Sequence, residues 1–193
     1  MSAVIETHQA VPRLAFERSE YAARIAKTRT AMQRAGIDLL IVTDPTNMGW
    51  LTGYDGWSFY VHQCVLLPMD GEPVWYGRGQ DANGAKRTVF MAHENIVGYP
   101  DHYVQSTARH PMDYLSTDVI AARGWSTLRI GVELDNYYFS AAAYASLSGS
   151  GFGPPPFGWL PYQVQEGDFP IVCPGAFGLG AVLPMKPKFS PEK

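Results

Sequence analysis

The densest group of side chains that could do chemistry lies between Asp44 and Leu67. Five aromatic residues fall within 50–60, and three glycines lie close to them. Aromatic rings with a few polar tips suit a small ligand that is polar, partly apolar or cationic. Core packing would explain the same rings, since buried aromatic residues are common. The pattern therefore predicts substrate binding, without catalysis, by five residues: Tyr54, Trp57, Phe59, Tyr60 and His62.

Cys64 and His62 form the pair in this stretch that could act as nucleophile and base. On a strand, residues two apart point to the same face, so a Cys/His dyad is conceivable. The alternative, which we favour, is a buried thiol beside a pocket histidine. The serines of Ser148-Gly-Ser-Gly151 lack the strand, turn and helix of a nucleophile elbow. We therefore predict no catalytic residue in this chain.

Metal and phosphate sites find little support in the spacing of residues. No pattern of the His-Glu-x-x-His kind links the five histidines, which are His8, His62, His93, His102 and His110. Gly77-Arg-Gly79 follows a predicted strand but lacks the third glycine of a dinucleotide-binding loop. Cys64 and Cys173 lie too far apart in sequence to indicate a disulfide framework. We predict no metal ligand and no cofactor within this chain.

Helices alternate with short apolar runs around the aromatic stretch. Helical spacing predicts a first helix to Ala35, with Ser19 as its N-cap and Gly36 after its end. The apolar run 37–43 predicts a strand buried on both faces. The further predicted elements are a helical turn at 47–51, a strand at 59–67, an antiparallel return at 74–76, a helix at 81–91, a strand at 94–99, a helix at 110–124, a strand at 127–133 and a helix at 138–147. This order predicts an α/β fold with a mixed central sheet covered by helices.

The composition is that of a soluble globular domain, which we expect to be cytoplasmic. Hydrophobic residues make up 46% of the 193 residues and charged residues 17%. A net charge of −3 without a cluster of Lys and Arg disfavours nucleic-acid binding. No run approaches the roughly 20 apolar residues of a membrane helix. The N-terminus has neither the basic start nor the apolar core of a signal peptide.

The composition changes after Leu147. Residues 148–193 hold eight glycines and nine prolines, which leave few windows for a helix or a strand. We therefore divide the chain into a lead-in at 1–16, a domain at 17–147 and an irregular tail at 148–193.

Four segments occur in an order and spacing that is specific when taken together. They are Glu20-Tyr-Ala-Ala-Arg24, Arg34-Ala-Gly-Ile-Asp-Leu-Leu-Ile-Val-Thr43, Asn47-Met-Gly-Trp-Leu-Thr-Gly-Tyr54 and Ile130-Gly-Val-Glu133. Across about 17–147 the chain resembles the N-terminal domain of the creatinase, prolidase and aminopeptidase P family. Within that family, segment 52–64 is most similar to the ectoine hydrolases.

This resemblance implies a ribonuclease-H-like domain that contacts a neighbouring subunit and helps to close its active site. It also implies a second, pita-bread domain in which two Asp, one His and two Glu bind divalent metal. Beyond Leu147 the sequence offers only Glu166, Asp168 and Glu192 and no histidine. We therefore expect no metal centre here, and interpret the tail as a truncated or frame-shifted continuation. By the same resemblance, Phe59 and His62 contact the partner subunit's substrate.

The resulting hypothesis is the substrate-rim and subunit-contact domain of an ectoine-hydrolase-like or Xaa-Pro-peptidase-like metallohydrolase that cleaves C–N bonds. We expect it to be inactive alone and to act as a homodimer or other homo-oligomer on a small amino-acid-like substrate. The alternative is a stand-alone interaction or small-osmolyte-binding module that pairs with a full-length paralogue. A third hypothesis is an independent hydrolase that uses Cys64 and His62.

Overall fold

The computed structural model describes residues 12–149 and the short strand Leu160–Pro161. The helices of this part of the chain are α1 Arg18–Ala35, α2 Pro45–Thr52, α3 Ala82–Thr88, α4 Pro111–Tyr114 and α5 Ala141–Gly149. The strands are β1 Leu39–Val42, β2 Cys64–Pro68, β3 Val74–Arg78, β4 Ile96–Tyr99, β5 Ile130–Val132 and β6 Leu160–Pro161. Helix α4 continues without a break as the π-helix Leu115–Ala121.

The strands form one mixed sheet in the order β4-β3-β2-β1-β5-β6. Strand β2 is antiparallel to both β1 and β3, whereas β1 pairs parallel with β5 and β3 with β4. The carboxyl ends of β1, β3, β4 and β5 therefore share one edge of the sheet, at which β2 begins. The predicted α/β fold with a mixed central sheet is confirmed.

Alternating side chains of the strands divide the core between the two faces of the sheet. Leu40 and Val42 of β1 pack in a cluster with apolar residues of α1, α2 and α3. Leu39 and Ile41 point the other way and pack with residues of α4, its π-helical continuation and α5. Because both faces are covered, all four residues of β1 are fully buried.

The first helix begins slightly before its predicted start. Its N-cap is Glu17, in extended conformation, so Ser19 lies inside the first turn and is not the cap. The end is as predicted, because Gly36 takes the left-handed conformation (φ 69°) that closes a helix. Helix α2 is capped by Asp44, whose carboxylate accepts bonds from the backbone N–H groups of Thr46 and Asn47.

The strand predicted at 59–67 starts five residues later, at Cys64. Residues Ser58–Tyr60 instead form a turn of 3₁₀ helix, which a side-chain hydrogen-bond network described below holds against the core. The prediction was wrong here because the aromatic β-formers of this segment face outward from a loop instead of lining a sheet.

Most of the predicted irregular tail, and most of the lead-in, lie outside the described residues. At its start, Ser148 and Gly149 extend α5. Leu160–Pro161 pairs parallel with β5 at the edge of the sheet, so the expected irregularity does not hold there. An edge strand is the place in a sheet where a proline is tolerated.

Candidate functional site

A cleft of about 280 Å³ opens at the edge of the sheet where β4 and β5 end and β2 begins. Loops at the carboxyl ends of strands are where α/β sheets commonly bind ligands. Three segments line the cleft: the loop before β2, the loop between β4 and α4, and the loop after β5. Its lining residues are Phe59, Tyr60, Val61, His62, Tyr99, Tyr103, Val104, Gln105, Ser106, Arg109, His110, Pro111, Tyr137, Tyr138 and Ser140.

Aromatic side chains stand exposed at the mouth of this cleft. Trp57 is 82% exposed, Tyr60 68% and Phe59 43%. The Phe59 ring contacts Trp57 with centroids 5.8 Å apart, and meets Tyr138 edge to face at 6.5 Å. Tyr137 is fully exposed beside Tyr138. We call Trp57, Phe59, Tyr60, Tyr137 and Tyr138 the aromatic rim.

A triangle of hydrogen bonds holds the rim-bearing loop in place. The Tyr54 hydroxyl lies 2.6 Å from Ser58 Oγ and donates to Gln63 Oε1 at 2.8 Å. The Ser58 hydroxyl also donates to Gln63 Oε1, at 2.6 Å. All three residues are buried, and Tyr54 packs on Trp75 in the core. Of the five predicted site residues, Phe59, Tyr60 and His62 line the cleft, and Trp57 lies beside it through its contact with Phe59. Tyr54 is separated from them, because it is buried in the core and its hydroxyl is engaged.

His62, which sequence alone singled out, pairs with a second histidine on the cleft wall. The rings of His62 and His110 lie 4.4 Å apart between centroids, inclined by 46°. Burial, and after it the charge of His110, lower the pKa of His62 to about 4. Burial also lowers the pKa of His110, against the opposing effect of Asp113. Both imidazoles are therefore neutral at physiological pH.

The orientation of His110 is fixed by the start of helix α4. Its Nδ1 accepts a bond from the Met112 N–H at 3.1 Å, and the Asp113 carboxylate accepts from the His110 N–H at 2.8 Å. This capping box makes Nδ1 an acceptor, so the neutral ring carries its proton on Nε2. His110 thus offers an N–H donor from its other ring nitrogen.

Cys64 does not form a dyad with His62. The thiol is fully buried at the start of β2, and burial followed by the charge of Glu133 raises its pKa far above the ordinary value. His62 precedes the strand and lines the cleft, so the two residues do not share a strand face. A thiol that stays protonated is a poor nucleophile, and the geometry contradicts the Cys/His hydrolase hypothesis.

A buried carboxylate, Glu133, joins the ends of β1 and β5 just behind the cleft. It accepts bonds from the backbone N–H groups of Thr43 and Asp44, at 2.6 and 2.8 Å, and from Asn47 Nδ2 at 2.7 Å. Burial raises the pKa of Glu133 to about 6, although these three donors pull in the opposite direction. Its oxygens are thus occupied by protein donors.

The described residues do not fit the metal centre that the resemblance implies for a second domain. Within residues 12–149, no three or more His, Cys, Asp or Glu side chains gather as metal ligands.

The described helices include none that is long and apolar enough to cross a membrane.

Sequence reasoning missed the part of the cleft that comes from the chain beyond β4. From sequence, His110 is a histidine outside any metal-ligand pattern at the start of a helix, and Tyr99 is the end of a strand. Their convergence on His62 depends on strand order, which spacing does not reveal. The available signal was positional, because both residues flank the loop at the carboxyl end of a predicted strand.

Comparison with known proteins gives one consistent result. Residues 24–153 match the Creatinase/Prolidase N-terminal domain family. Ectoine hydrolase of Halomonas elongata is 62% identical over 134 residues, which cover 69% of this chain and 34% of that protein. The uncharacterized hydrolase/peptidase y4tM of Sinorhizobium fredii is 38% identical over 135 residues, with the same two coverages. The chain thus matches about a third of the length of these curated relatives.

Solved structures agree on the fold. A proline dipeptidase of Streptococcus agalactiae superimposes with a TM-score of 0.52 at 15% identity, covering 67% of this chain and 87% of that one. A proline dipeptidase of Streptococcus pneumoniae gives 0.51 at 20% identity, covering 65% and 83%. The resemblance seen in the sequence is confirmed, and the chain belongs to the creatinase/prolidase N-terminal domain family.

Proposed function

We propose that this chain is the substrate-rim and subunit-contact domain of an enzyme that hydrolyses C–N bonds in the manner of an ectoine hydrolase. In this proposal the catalytic metal belongs to a separate domain, and the chain by itself has no hydrolytic activity. The aromatic rim and His62 border the entrance through which a small amino-acid-like substrate reaches that domain in a partner subunit.

The observation that carries the proposal is the exposure of the aromatic rim, of which Trp57, Phe59 and Tyr60 lie on a rigidly held loop. An isolated domain leaves large rings such as Trp57 in water only at a cost in solvation. The buried Tyr54–Ser58–Gln63 triangle fixes the loop, so the exposed rings are presented in one arrangement. Rigid presentation of exposed aromatic residues favours binding to another surface or ligand. The 62% identity to ectoine hydrolase supports the substrate class.

A chimeric enzyme tests the proposal. The matched segment of Halomonas elongata ectoine hydrolase is replaced by the corresponding residues of this chain, and hydrolysis of ectoine is followed kinetically. We expect the chimera to be active, and expect Phe59→Ala or His62→Ala to raise KM about tenfold, equivalent to roughly 1.4 kcal/mol. Tyr144→Ala is the control, since this exposed ring on α5 does not line the cleft.

Two results would contradict the proposal. One is a folded chimera that hydrolyses no ectoine. The other is an active chimera in which the Phe59 and His62 variants have the kinetic constants of the Tyr144 control. Turnover of ectoine by the 193-residue chain alone, with divalent metal supplied, would contradict the assignment of catalysis to another domain.

A further inference from the structure

One polar group in the cleft lacks a partner. Tyr99, at the carboxyl end of β4, is fully buried and contributes to the cleft wall. Its hydroxyl has no hydrogen-bond partner among the described residues. Buried hydroxyl groups are nearly always paired, so an unpaired one on a residue that lines a cleft points to a partner that enters the cleft. Burial, and after it the charge of Asp81, raise the pKa of Tyr99, so the phenol keeps its proton and can donate.

The rest of the cleft offers hydrogen-bond donors and positive charge. His110 presents a protonated Nε2, because its Nδ1 accepts from Met112. Arg109 contributes a guanidinium with five N–H donors. The Ser106 oxygen accepts from the backbone N–H groups of Ala108 and Arg109, which leaves its own proton free to donate. No Asp or Glu stands among the described residues that line the cleft, and the charges of Asp81 and Asp101 act on Tyr99 from outside that lining.

The loop that carries these donors is strained at one position. Gln105 has φ 50°, and among the described residues it is the non-glycine residue with a positive φ. This conformation costs energy for a residue with a side chain, and such strain concentrates at ligand-binding loops. Gln105 lies on the cleft wall, between Tyr103 and Arg109 in the sequence.

We propose that this cleft binds a small carboxylate within the domain itself, through the Tyr99 hydroxyl, the His110 Nε2–H and the Arg109 guanidinium. The three residues lie on the wall of one cleft, so their donors can reach the two oxygens of one carboxylate, and an arginine binds a carboxylate in a planar, two-bond geometry. The tyrosine rings around the cleft hold an apolar or cyclic body. A volume of about 280 Å³ limits the ligand to about the size of an amino acid.

This inference goes beyond the proposed function because it requires neither a catalytic domain nor a second subunit. Its hydrogen-bonding residues are also different, since Tyr99, His110 and Arg109 are not part of the aromatic rim and the two proposals share only tyrosine rings. A failed chimera would therefore leave the carboxylate site intact, and an empty cleft would leave the rim function intact.

Binding of phenylacetate to the full 193-residue chain tests the inference, with phenylacetamide as its uncharged counterpart. Ligand-observed and protein-observed NMR titrations measure both dissociation constants. We expect a Kd on the order of a few millimolar for phenylacetate, as is typical for about ten non-hydrogen atoms. Binding of phenylacetamide is expected to be at least tenfold weaker.

Matched variants locate the site. Tyr99→Phe, which removes only the hydroxyl, and Arg109→Gln are each expected to weaken phenylacetate binding at least fivefold. Arg87→Gln is the control, because it removes the same charge from an exposed position on α3, which packs on the other face of the sheet.

Three results would overturn the inference. The first is undetectable binding of phenylacetate, and the second is equal binding of the acid and the amide. The third is phenylacetate binding that both cleft variants leave unchanged. That result is expected if the partner of the Tyr99 hydroxyl is a bound water and not a ligand.

Discussion

At the scale of single residues, the burial and pairing of His62 and His110 keep two imidazoles of the cleft neutral. A lone exposed histidine is partly protonated near neutral pH, whereas His62 is half-buried in the cleft wall and lies against His110. His110 disfavours a positive charge on His62, and burial disfavours a positive charge on both rings. The cleft therefore keeps neutral, hydrogen-bonding imidazoles where isolated histidines would begin to charge.

We predict a pKa of about 4 for His62, against an ordinary value of 6.5. Replacement of His110 by alanine is expected to raise it, because this change removes the neighbouring charge and admits water. Titration of the imidazole resonances by NMR measures both values, and His93→Ala, on an exposed turn, is the control. A wild-type value near 6.5 would contradict the described packing.

The same lowered pKa links folding to pH. His62 has a pKa of 6.5 in the unfolded chain and about 4 in the folded chain, so between these pH values it is protonated in the unfolded chain and neutral in the folded chain. The stabilising contribution of neutral His62 is therefore complete above pH 6.5 and is lost as the pH falls toward 4. The lowered pKa of His110 acts in the same direction.

Residue type alone predicted the segment of Phe59, Tyr60 and His62, which lines one wall of the cleft, since aromatic residues and histidine are concentrated there. Their role in substrate binding stays a prediction. Residue type was not enough for His110 or Tyr99, which are ordinary residues until the sheet brings them to the same edge. Tyr54 was predicted as a site residue because it lies in the aromatic segment, but its side chain points into the core. Its hydroxyl found partners in the core, and periodicity carries no information about such partners.

At the scale of secondary-structure elements, Glu133 connects β5 to the turn that begins α2. Its carboxylate accepts bonds from three N–H groups and one hydroxyl of residues 43–47, and beside it Asn136 Nδ2 donates to Thr43 Oγ1 at 2.9 Å. Removing one partner of a buried polar group leaves the others unsatisfied, which costs more than the bonds contribute. The connection therefore holds the carboxyl edge on which the cleft is built.

We predict that Glu133→Ala lowers the free energy of unfolding by about 3 kcal/mol at pH 5. Asp135→Asn is the control, because Asp135 is exposed two residues further on, and we expect less than about 0.5 kcal/mol. Urea unfolding measures both. An alanine variant as stable as the control would show that the buried carboxylate is dispensable.

The pH dependence of that loss has a definite sign. Because the folded-state pKa of Glu133 is raised, to about 6 from 4.5, its contribution to stability is largest below pH 4.5 and declines as the pH rises through 6. The difference between wild type and Glu133→Ala should narrow over this range by up to about 2 kcal/mol. A difference that widens would contradict the raised pKa.

Alanine substitutions at Gly53 and Gly71 distinguish the cost of a left-handed backbone conformation from the cost of a steric clash. Both have positive φ, 79° and 82°, but an added Cβ at Gly53 would lie 2.8 Å from Leu14 Cδ2, whereas nothing lies within 4 Å at Gly71. We expect Gly71→Ala to cost about 1 kcal/mol from conformation alone. Gly53→Ala should cost at least about 2 kcal/mol, because crowding adds to it. Equal losses in thermal or urea unfolding would show that the crowded contact relaxes freely.

The sequence predicted the presence of helices and strands more reliably than the residues at which they begin and end. Uninterrupted apolar runs and glycine stops define β1 and α1, because burial on both faces and a left-handed cap leave few alternatives. The predicted start of β2 was wrong because side-chain hydrogen bonds hold the β-forming aromatic residues before Cys64 in a loop. The π-helical turn at Leu115–Ala121 carries no local signal in apolar spacing, which is why a plain helix was predicted there.

At the scale of the whole molecule, the aromatic rim is a group of large apolar side chains that the described part of the fold leaves in water. Trp57 and Tyr137 are almost wholly exposed although the cores on both faces of the sheet are closed. Large rings bury 150–250 Å² each when they enter an interface, at about 25 cal/mol per Å². The proposed subunit contact would give these rings the cover that the domain itself does not provide.

We therefore predict that the 193-residue chain self-associates through the aromatic rim. Sedimentation velocity over a range of concentrations should show a dimer, and the double variant Trp57→Ser with Tyr60→Ser should weaken it at least tenfold, since two large rings then leave the interface. Tyr144→Ser, a change of an exposed ring on α5, should leave the dimer unaffected. If the wild-type chain stays monomeric at all concentrations, the rim alone does not drive association. In that case any subunit contact requires surface from the catalytic domain, and the rings of the rim serve the substrate entrance only.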